Sequence, residues 1–235
     1  MKKIFVEALK RNAHIYNFVC KSIIYKLYAK YINKKKKKQL KKNGFAILEN
    51  LNLAFEELNM SYWLAFGTLL GAVREKNIIS HDLDLDIATW KYSYSGRVME
   101  VLSKYGFVLM RTIVLEKDLG VEETYSYKGV NIDIFYFEKI SDELVKCYVF
   151  YMDKALGYLE TIARYGGLFP LEVVLPFNKL LEYSFLGVPV YIPDVYEAQL
   201  AFHYGKDYMI PNSNWDYTSA PNSKKINGLI GKVYE

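Results

Sequence analysis

The chain has few of the residues that break or staple a fold. Its 235 residues include six prolines, two cysteines and three histidines. Cys20 and Cys147 form no C-x-x-C pair and have no histidine at zinc-ligand spacing. That argues against a disulfide framework or a zinc module. Both are expected to be reduced thiols, in a compartment such as the cytoplasm. No run of about 18 uncharged apolar residues occurs, so no transmembrane helix is expected. The N-terminus lacks an apolar core followed by a small-residue cleavage site, so no signal peptide is expected. Internal repeats of solenoid or propeller period are absent.

Acids are almost missing from one region. Residues 1–42 hold 14 lysines and arginines against one acid, Glu7, a local charge of about +13. The rest of the chain holds 17 basic and 25 acidic residues. Hydrophobic residues make up 51% of the whole, enough for the core of one large domain. The expected organisation is a basic amphipathic helical arm over 1–43 and a catalytic domain over 44–235. In the arm, Phe5, Leu9, Tyr16, Val19, Ile23, Leu27 and Tyr31 recur at helical spacing, followed by Lys34–Lys38. Three readings stay open: a helix packed on the domain, a peripheral contact with an anionic membrane surface, and nucleic-acid binding. The last is the weakest, because no base-reading fold accompanies the lysines.

Along the domain, periodicity predicts a helix over 44–59, a short strand at Tyr62–Phe66 and a helix at Leu69–Arg74. It predicts extended chain at Leu83–Ile87, a helix over 94–106, and strands at Val108–Leu115, Thr124–Tyr127, Val130–Phe137, Val145–Tyr151 and Leu186–Ile192. A helix capped by Asp194 is expected to run to about His203. The pattern is mixed α and β, with helices around a central sheet.

Asp82, Asp84 and Asp86 alternate with Leu83, Leu85 and Ile87. On a strand the three carboxylates share a face. Such a cluster is expected to hold a divalent cation, Mg²⁺ or Mn²⁺, because bare carboxylates repel. A solvated edge strand is the alternative. Asp133 interrupts the apolar strand VNIDIFYF, and either completes that cage or pairs with a buried cation. Upstream, GTLLGAVR opens a helix at Gly67-Thr68. Its amides, the hydroxyl and Arg74 suit a phosphate. Together these residues form a constellation for metal-assisted phosphoryl transfer.

Three segments, in order, resemble the LicD/fukutin-related family. They are Gly67-Thr68-Leu69-Leu70-Gly71-Ala72-Val73-Arg74, then His81-Asp82-Leu83-Asp84-Leu85-Asp86-Ile87, then Tyr204-Gly205-Lys206-Asp207-Tyr208 with Pro211. The resemblance covers roughly residues 45–220. It implies an α+β nucleotidyltransferase fold similar to DNA polymerase β, with a mixed sheet flanked by helices. It implies a phosphotransferase that moves phosphocholine or a polyol or sugar phosphate from a CDP-linked donor to a hydroxyl of a cell-surface glycan, lipid-linked or nascent. His81 stands where the family usually has Trp, and Leu83 where many members have Asp. The expected metal set is Asp82, Asp84, Asp86 and Asp133, the last three also catalytic, with Asp133 taking the acceptor's proton. The expected substrate contacts are Gly67, Thr68, Gly71, Arg74, His81, Tyr204, Lys206 and Asp207. Plainer readings stay open for His81 as a turn residue and for the late aromatics as cover for the sheet. The rival functions are a nucleotidyltransferase acting on RNA, protein or a small molecule, and a non-catalytic membrane-associated scaffold. The expected location is the inner face of the cytoplasmic membrane, bound peripherally through the arm.

Overall fold

A computed structural model describes residues 23–116, 119–212 and 214–235. The proposed arm up to residue 22, and Cys20 within it, lie outside the described residues. Among the described residues no helix is long and apolar enough to cross a membrane. Cys147 is a free, buried thiol.

Helix α1 (Ile23–Leu58) takes in the lysine run and passes without a break through residues 43 and 44. Lysine is a good helix former, so charge alone does not end a helix. Its domain-facing stripe is Leu40, Ile47, Leu48, Leu51, Ala54, Phe55 and Leu58, all buried at the three-to-four-residue spacing of one helix face. Next come β1 (Tyr62–Leu64), α2 (Phe66–Arg74), β2 (Asp84–Trp90), α3 (Gly96–Lys104), β3 (Val108–Leu115), β4 (Val121–Tyr127) and β5 (Val130–Lys139). They are followed by β6 (Leu144–Tyr151), α4 (Tyr158–Tyr165), β7 (Phe169–Pro176), β8 (Leu180–Phe185), β9 (Val188–Pro193), α5 (Tyr196–Tyr204), β10 (Ser223–Lys225) and β11 (Gly231–Tyr234).

The result is a mixed α+β architecture. Nine strands form one sheet in the order β10-β7-β6-β5-β4-β3-β11, with β2 parallel to β5 and β1 antiparallel to β2. β5 is the hub. Its first part lies between β2 and β4, and its last two residues pair with β6. A bridge between Leu168 and Gly231 draws the β7 and β11 sides together, so the sheet curls. β8 and β9 form a separate hairpin against β1 and α1. The largest core lies under α1, α2 and α3; a second, rich in aromatics, surrounds Trp63 and Phe137; a third fills the curl around Tyr148 and Phe150.

Some elements differ from expectation. The turn Lys128-Gly129 is as expected, with both residues at positive φ, the type I′ geometry of a two-residue hairpin. Leu186-Gly187 uses the same geometry, so it is the β8–β9 turn and not the start of a strand. The last helix begins at Tyr196 with Val195 at its cap; Asp194 accepts from the Lys179 amide instead. β7, β8, β10, β11 and α4 were not expected as elements.

Candidate active site

Strand register builds the acidic centre. Asp86 on β2 lies level with Asp133 on β5, and Asp84 lies level with Asn131. Leu85 and Ile87 are buried in the core, while Asp84 and Asp86 are half-buried on the other face. Asp82 is different. It precedes the strand in a turn closed by its own amide, which donates to the Ile79 carbonyl at 3.0 Å. The three acids therefore do not share one strand face as expected; only two do.

Helix α2 is laced to β2. The Gly67 amide donates to Asp86 Oδ2 at 3.0 Å, and the Asp86 amide donates to Thr68 Oγ1 at 2.7 Å. Gly67 has to be small: a Cβ there would stand 3.1 Å from Asp86 Oδ2 and 3.5 Å from Asp82 Oδ2. Phe66, one residue earlier, holds a left-handed φ of 39°, a strained setting for a bulky residue. Its ring is clamped by Phe135, at 4.7 Å between centroids, and His203, at 5.1 Å. Gly71 serves packing, since a Cβ there would come within 2.7 Å of the Asn77 carbonyl.

On the far side of β5, Thr124 Oγ1 donates to Asp133 Oδ1 at 2.5 Å. Arg111 Nη2 donates to Thr124 Oγ1 at 3.0 Å and to Glu122 Oε1 at 2.9 Å. A guanidinium thus reaches Asp133 through one hydroxyl. Sequence reasoning missed Arg111, Glu122 and Thr124. The signal was Glu122-Glu123 inside a short strand, the same anomaly that exposed Asp133. Glu123 faces the opposite way, accepting from Tyr125 and Tyr136.

Two cavities flank this centre. One, of about 600 Å³, is lined by Gly67, Arg74, His81, Asp82, Tyr204, Lys206 and Asp207 among others. The other, of about 440 Å³, is lined by Gly67, Asp84, Asp86, Asp133, Arg111 and Glu122, with the rings of Phe66, Phe135, Tyr158, Tyr204 and Trp215. Gly67, Tyr204 and Trp215 border both. Of the expected contacts, Thr68 and Gly71 line neither, and Thr68 instead braces β2. Arg74 is nearly buried; Nη1 donates to the Tyr208 carbonyl at 3.2 Å and Nη2 to Glu75 at 3.0 Å. It therefore ties α2 to the Tyr204–Tyr208 segment. His81 is exposed, with Nε2 3.9 Å from Asp82.

Burial, reinforced by the charge of Asp84, lifts the Asp82 carboxyl to about 6. Burial also lifts Asp133 to about 6, against the Thr124 hydrogen bond. Asp84 is raised by burial, and Asp86 is raised well above the usual range by burial and then by its three acidic neighbours. Glu122 is pushed up to about 8 by burial and Asp133, with Arg111 opposing. His203, buried and paired with Asn222 at 2.9 Å, drops to about 4. It is neutral at pH 7.

These carboxylates form a hard, all-oxygen donor set short of positive charge, which fits a divalent cation. Among the described residues, no three or more Asp, Glu, His or Cys side chains are gathered tightly enough to hold an ion. The donors are aligned by strand register without being closed into a cage.

The chain belongs to the LicD/FKTN/FKRP family, matching its nucleotidyltransferase domain over residues 59–194. The chain is similar to the ribitol-5-phosphate transferase FKTN of Mus musculus, 25% identical over 190 residues. That alignment covers 80% of this chain and 38% of the relative. The Homo sapiens protein of the same name is 26% identical over 185 residues, 77% of this chain and 37% of the relative. An uncharacterised protein of Rickettsia prowazekii is 25% identical over 152 residues, 63% of this chain and 49% of the relative. The chain spans less than half the length of these curated relatives. Every aspartate of the centre falls inside the family match; α1 and Tyr204–Asp207 fall outside it.

Proposed function

We propose that this protein is a metal-dependent phosphotransferase of the nucleotidyltransferase fold type, akin to DNA polymerase β. It moves a phosphate-linked group, such as ribitol phosphate, another polyol or sugar phosphate, or phosphocholine, from a CDP-activated donor to a glycan hydroxyl. The observation that carries this reading is Asp86 level with Asp133 on parallel strands, Asp84 beside them, where two cavities meet. One cavity for donor and one for acceptor, with acids between, is what a transfer between two bulky substrates requires. The FKTN relatives, named as ribitol-5-phosphate transferases, support a polyol phosphate as the cargo.

Mg²⁺ or Mn²⁺ held by Asp84, Asp86 and Asp133, with Asp82 at the rim, would neutralise charge on the donor diphosphate. The α2 N-terminus presents a positive dipole end to the same anion. Arg74 holds the Tyr204–Tyr208 wall of the donor cavity in place. Asp133 accepts the proton of the acceptor hydroxyl, and its carboxylate is oriented by Thr124 and, through it, Arg111. The acceptor oxygen bonds to the phosphorus carrying the transferred group, the bridging P–O bond breaks, and CMP leaves with the electron pair.

The test is Asp84→Asn and Asp133→Asn, assayed by CMP release from CDP-ribitol, CDP-choline and CDP-glycerol with Mg²⁺. The expected loss is about a thousandfold, the scale of removing one essential catalytic group. Normal turnover in either folded variant would overturn the assignment. Release of ribitol phosphate, phosphocholine or glycerol phosphate in place of CMP, from attack at the nucleotide-side phosphorus, would favour nucleotide transfer, the chemistry named in the family's domain description.

The basic face of α1 supports a peripheral contact with anionic lipid at the inner face of the cytoplasmic membrane. Leu27, Tyr28 and Tyr31 are exposed there beside Lys30, Lys34, Lys35 and Lys38.

A further inference from the structure

His203 is the penultimate residue of α5 and is 5% exposed. Three rings fix its orientation: Phe66 at 5.1 Å between centroids, Tyr204 at 4.8 Å and Trp215 at 5.2 Å. All three border the cavity of about 440 Å³, and so does His203 itself. Asn222 sets its tautomer. Asn222 Nδ2 donates to the Val174 carbonyl at 2.9 Å, and a carbonyl can only accept. Asn222 Oδ1 therefore faces His203 Nδ1, 2.9 Å away, and the imidazole proton sits on Nδ1. Nε2 keeps a lone pair. Among the described residues, the sealed side-chain nitrogens and oxygens without a partner are Arg74 Nε, Arg111 Nε and Ser223 Oγ. His203 bonds through Nδ1 alone, yet Nε2 is not one of these sealed atoms. It therefore meets the open space of the cavity.

We propose that this cavity is the acceptor subsite for a neutral sugar, in which His203 Nε2 accepts a hydrogen bond from a second hydroxyl, apart from the one that reacts. This rests on the phosphotransferase reading above. The other polar walls of the cavity are carboxyl groups and the Arg111 cation. A neutral acceptor set among aromatic rings does something they do not: it takes a hydroxyl proton, and its lone pair repels an anionic oxygen. Aromatic faces cover the C–H face of a sugar ring, and the volume lies in the range of small-ligand sites. With one hydroxyl at Asp133 and another at His203, the ring enters in one orientation. Asn222, fixed by Val174, is a positioning residue: it holds the proton on Nδ1 and so keeps Nε2 free to accept. The donor's diphosphate is kept from the His203 wall and lies toward Gly67 and the start of α2.

The experiment joins nitrogen NMR of the full chain, labelled with ¹⁵N-histidine, to CMP release from the same CDP-linked donors in Mg²⁺. The methyl glycosides of galactose, N-acetylgalactosamine and ribose are the acceptor probes. The chain has three histidines, and His203→Asn assigns the His203 signals by removing them. A glycoside is expected to shift Nε2 and leave Nδ1 in place, whereas inorganic phosphate shifts neither. Two variants then separate the ring's two nitrogens. In His203→Asn the amide nitrogen replaces Nδ1 and keeps the Asn222 bond, but nothing stands at Nε2. In His203→Gln the amide oxygen replaces Nε2, and the Asn222 bond is lost. His203→Asn is expected to raise KM for the glycoside about tenfold, the scale of one hydrogen bond, with a smaller change in kcat. His203→Gln should recover most of that loss. The reverse order, a near-normal Asn variant and an impaired Gln variant, makes His203 a packing residue and overturns the proposal. CMP release by a wild type whose Nε2 no glycoside moves, or phosphate moves instead, keeps the phosphotransferase and removes the subsite. A glycoside shift at Nε2 without CMP release from any donor keeps the subsite and removes the CDP-linked donor.

Discussion

Replacing Gly67 with alanine separates the stability of this fold from its chemistry. Gly67 has a negative φ inside α2, so alanine suits its backbone. In the first turn of α2 alanine is favoured over glycine by a part of the ~1 kcal/mol difference of a helix interior. Against that gain, the new methyl would stand 3.1 Å from Asp86 Oδ2, and ordinary contact begins near 3.4 Å. The carboxylate must retreat by about 0.3 Å, which lengthens its bond from the Gly67 amide. Weakening a hydrogen bond to a charged acceptor costs a fraction of its ~1.5–3 kcal/mol. The two effects nearly cancel, so urea unfolding should stay within about 1 kcal/mol of wild type. Catalysis has no such offset. A misplacement of about 1 Å costs on the order of a hundredfold, so a few tenths of an ångström should lower kcat/KM for CMP release about tenfold. Gly96→Ala is the control, because nothing lies within 4 Å of a Cβ there. It should leave turnover unchanged. Wild-type turnover in Gly67→Ala, or a stability loss above about 3 kcal/mol, would refute the reasoning.

Three further outcomes follow from the site. Arg111→Met leaves Glu122 buried beside Asp133 without its cation, and should destabilise the fold by ~2–3 kcal/mol in urea; Arg111→Met with Glu122→Met should recover most of that. Asp82, Asp133 and Glu122 all bind protons more tightly when folded than when unfolded. Their contribution is therefore fully present below their unfolded values near 4 and is lost as pH rises toward about 8. In EDTA, Tm should fall across that window, and a Tm that rises would contradict the burial described. Changing Lys30, Lys34, Lys35 and Lys38 to Gln should reduce flotation with phosphatidylserine vesicles by at least a hundredfold, at roughly 1 kcal/mol per charge, without altering turnover of a soluble donor.

The acids at Asp84, Asp86 and Asp133 were legible because a carboxylate inside an apolar strand has few ordinary explanations. Their alignment was not, since register between strands more than forty residues apart leaves no local trace. Asp82 was misplaced because alternation continued one step beyond the strand that carries it. Arg111 escaped notice because an arginine on a strand reads as solvent-facing, and here half of its work is done through Thr124. The single helix across Lys34–Lys38 was hidden by the absence of an apolar residue at Lys36, the position where the packing stripe should have continued. Pro170 and Pro176 sit within β7 near its ends, where proline is tolerated. The short β10 and β11 owe their form to partners far along the chain.

The parallel pairing of β2 with β5 also governs when the site comes into being. Parallel neighbours cannot be joined by a hairpin; here α3 and the β3–β4 hairpin intervene before β5 can dock. Such long-range closures are slow relative to hairpins and helices. Asp86 and Asp133 therefore stay apart while local structure forms, and meet only at a late step that their own repulsion opposes. A folding intermediate that has β3, β4 and β5 assembled but lacks β2 has one half of the acidic centre and no activity. Divalent cation added during refolding should therefore speed the last kinetic phase and leave the earlier ones untouched.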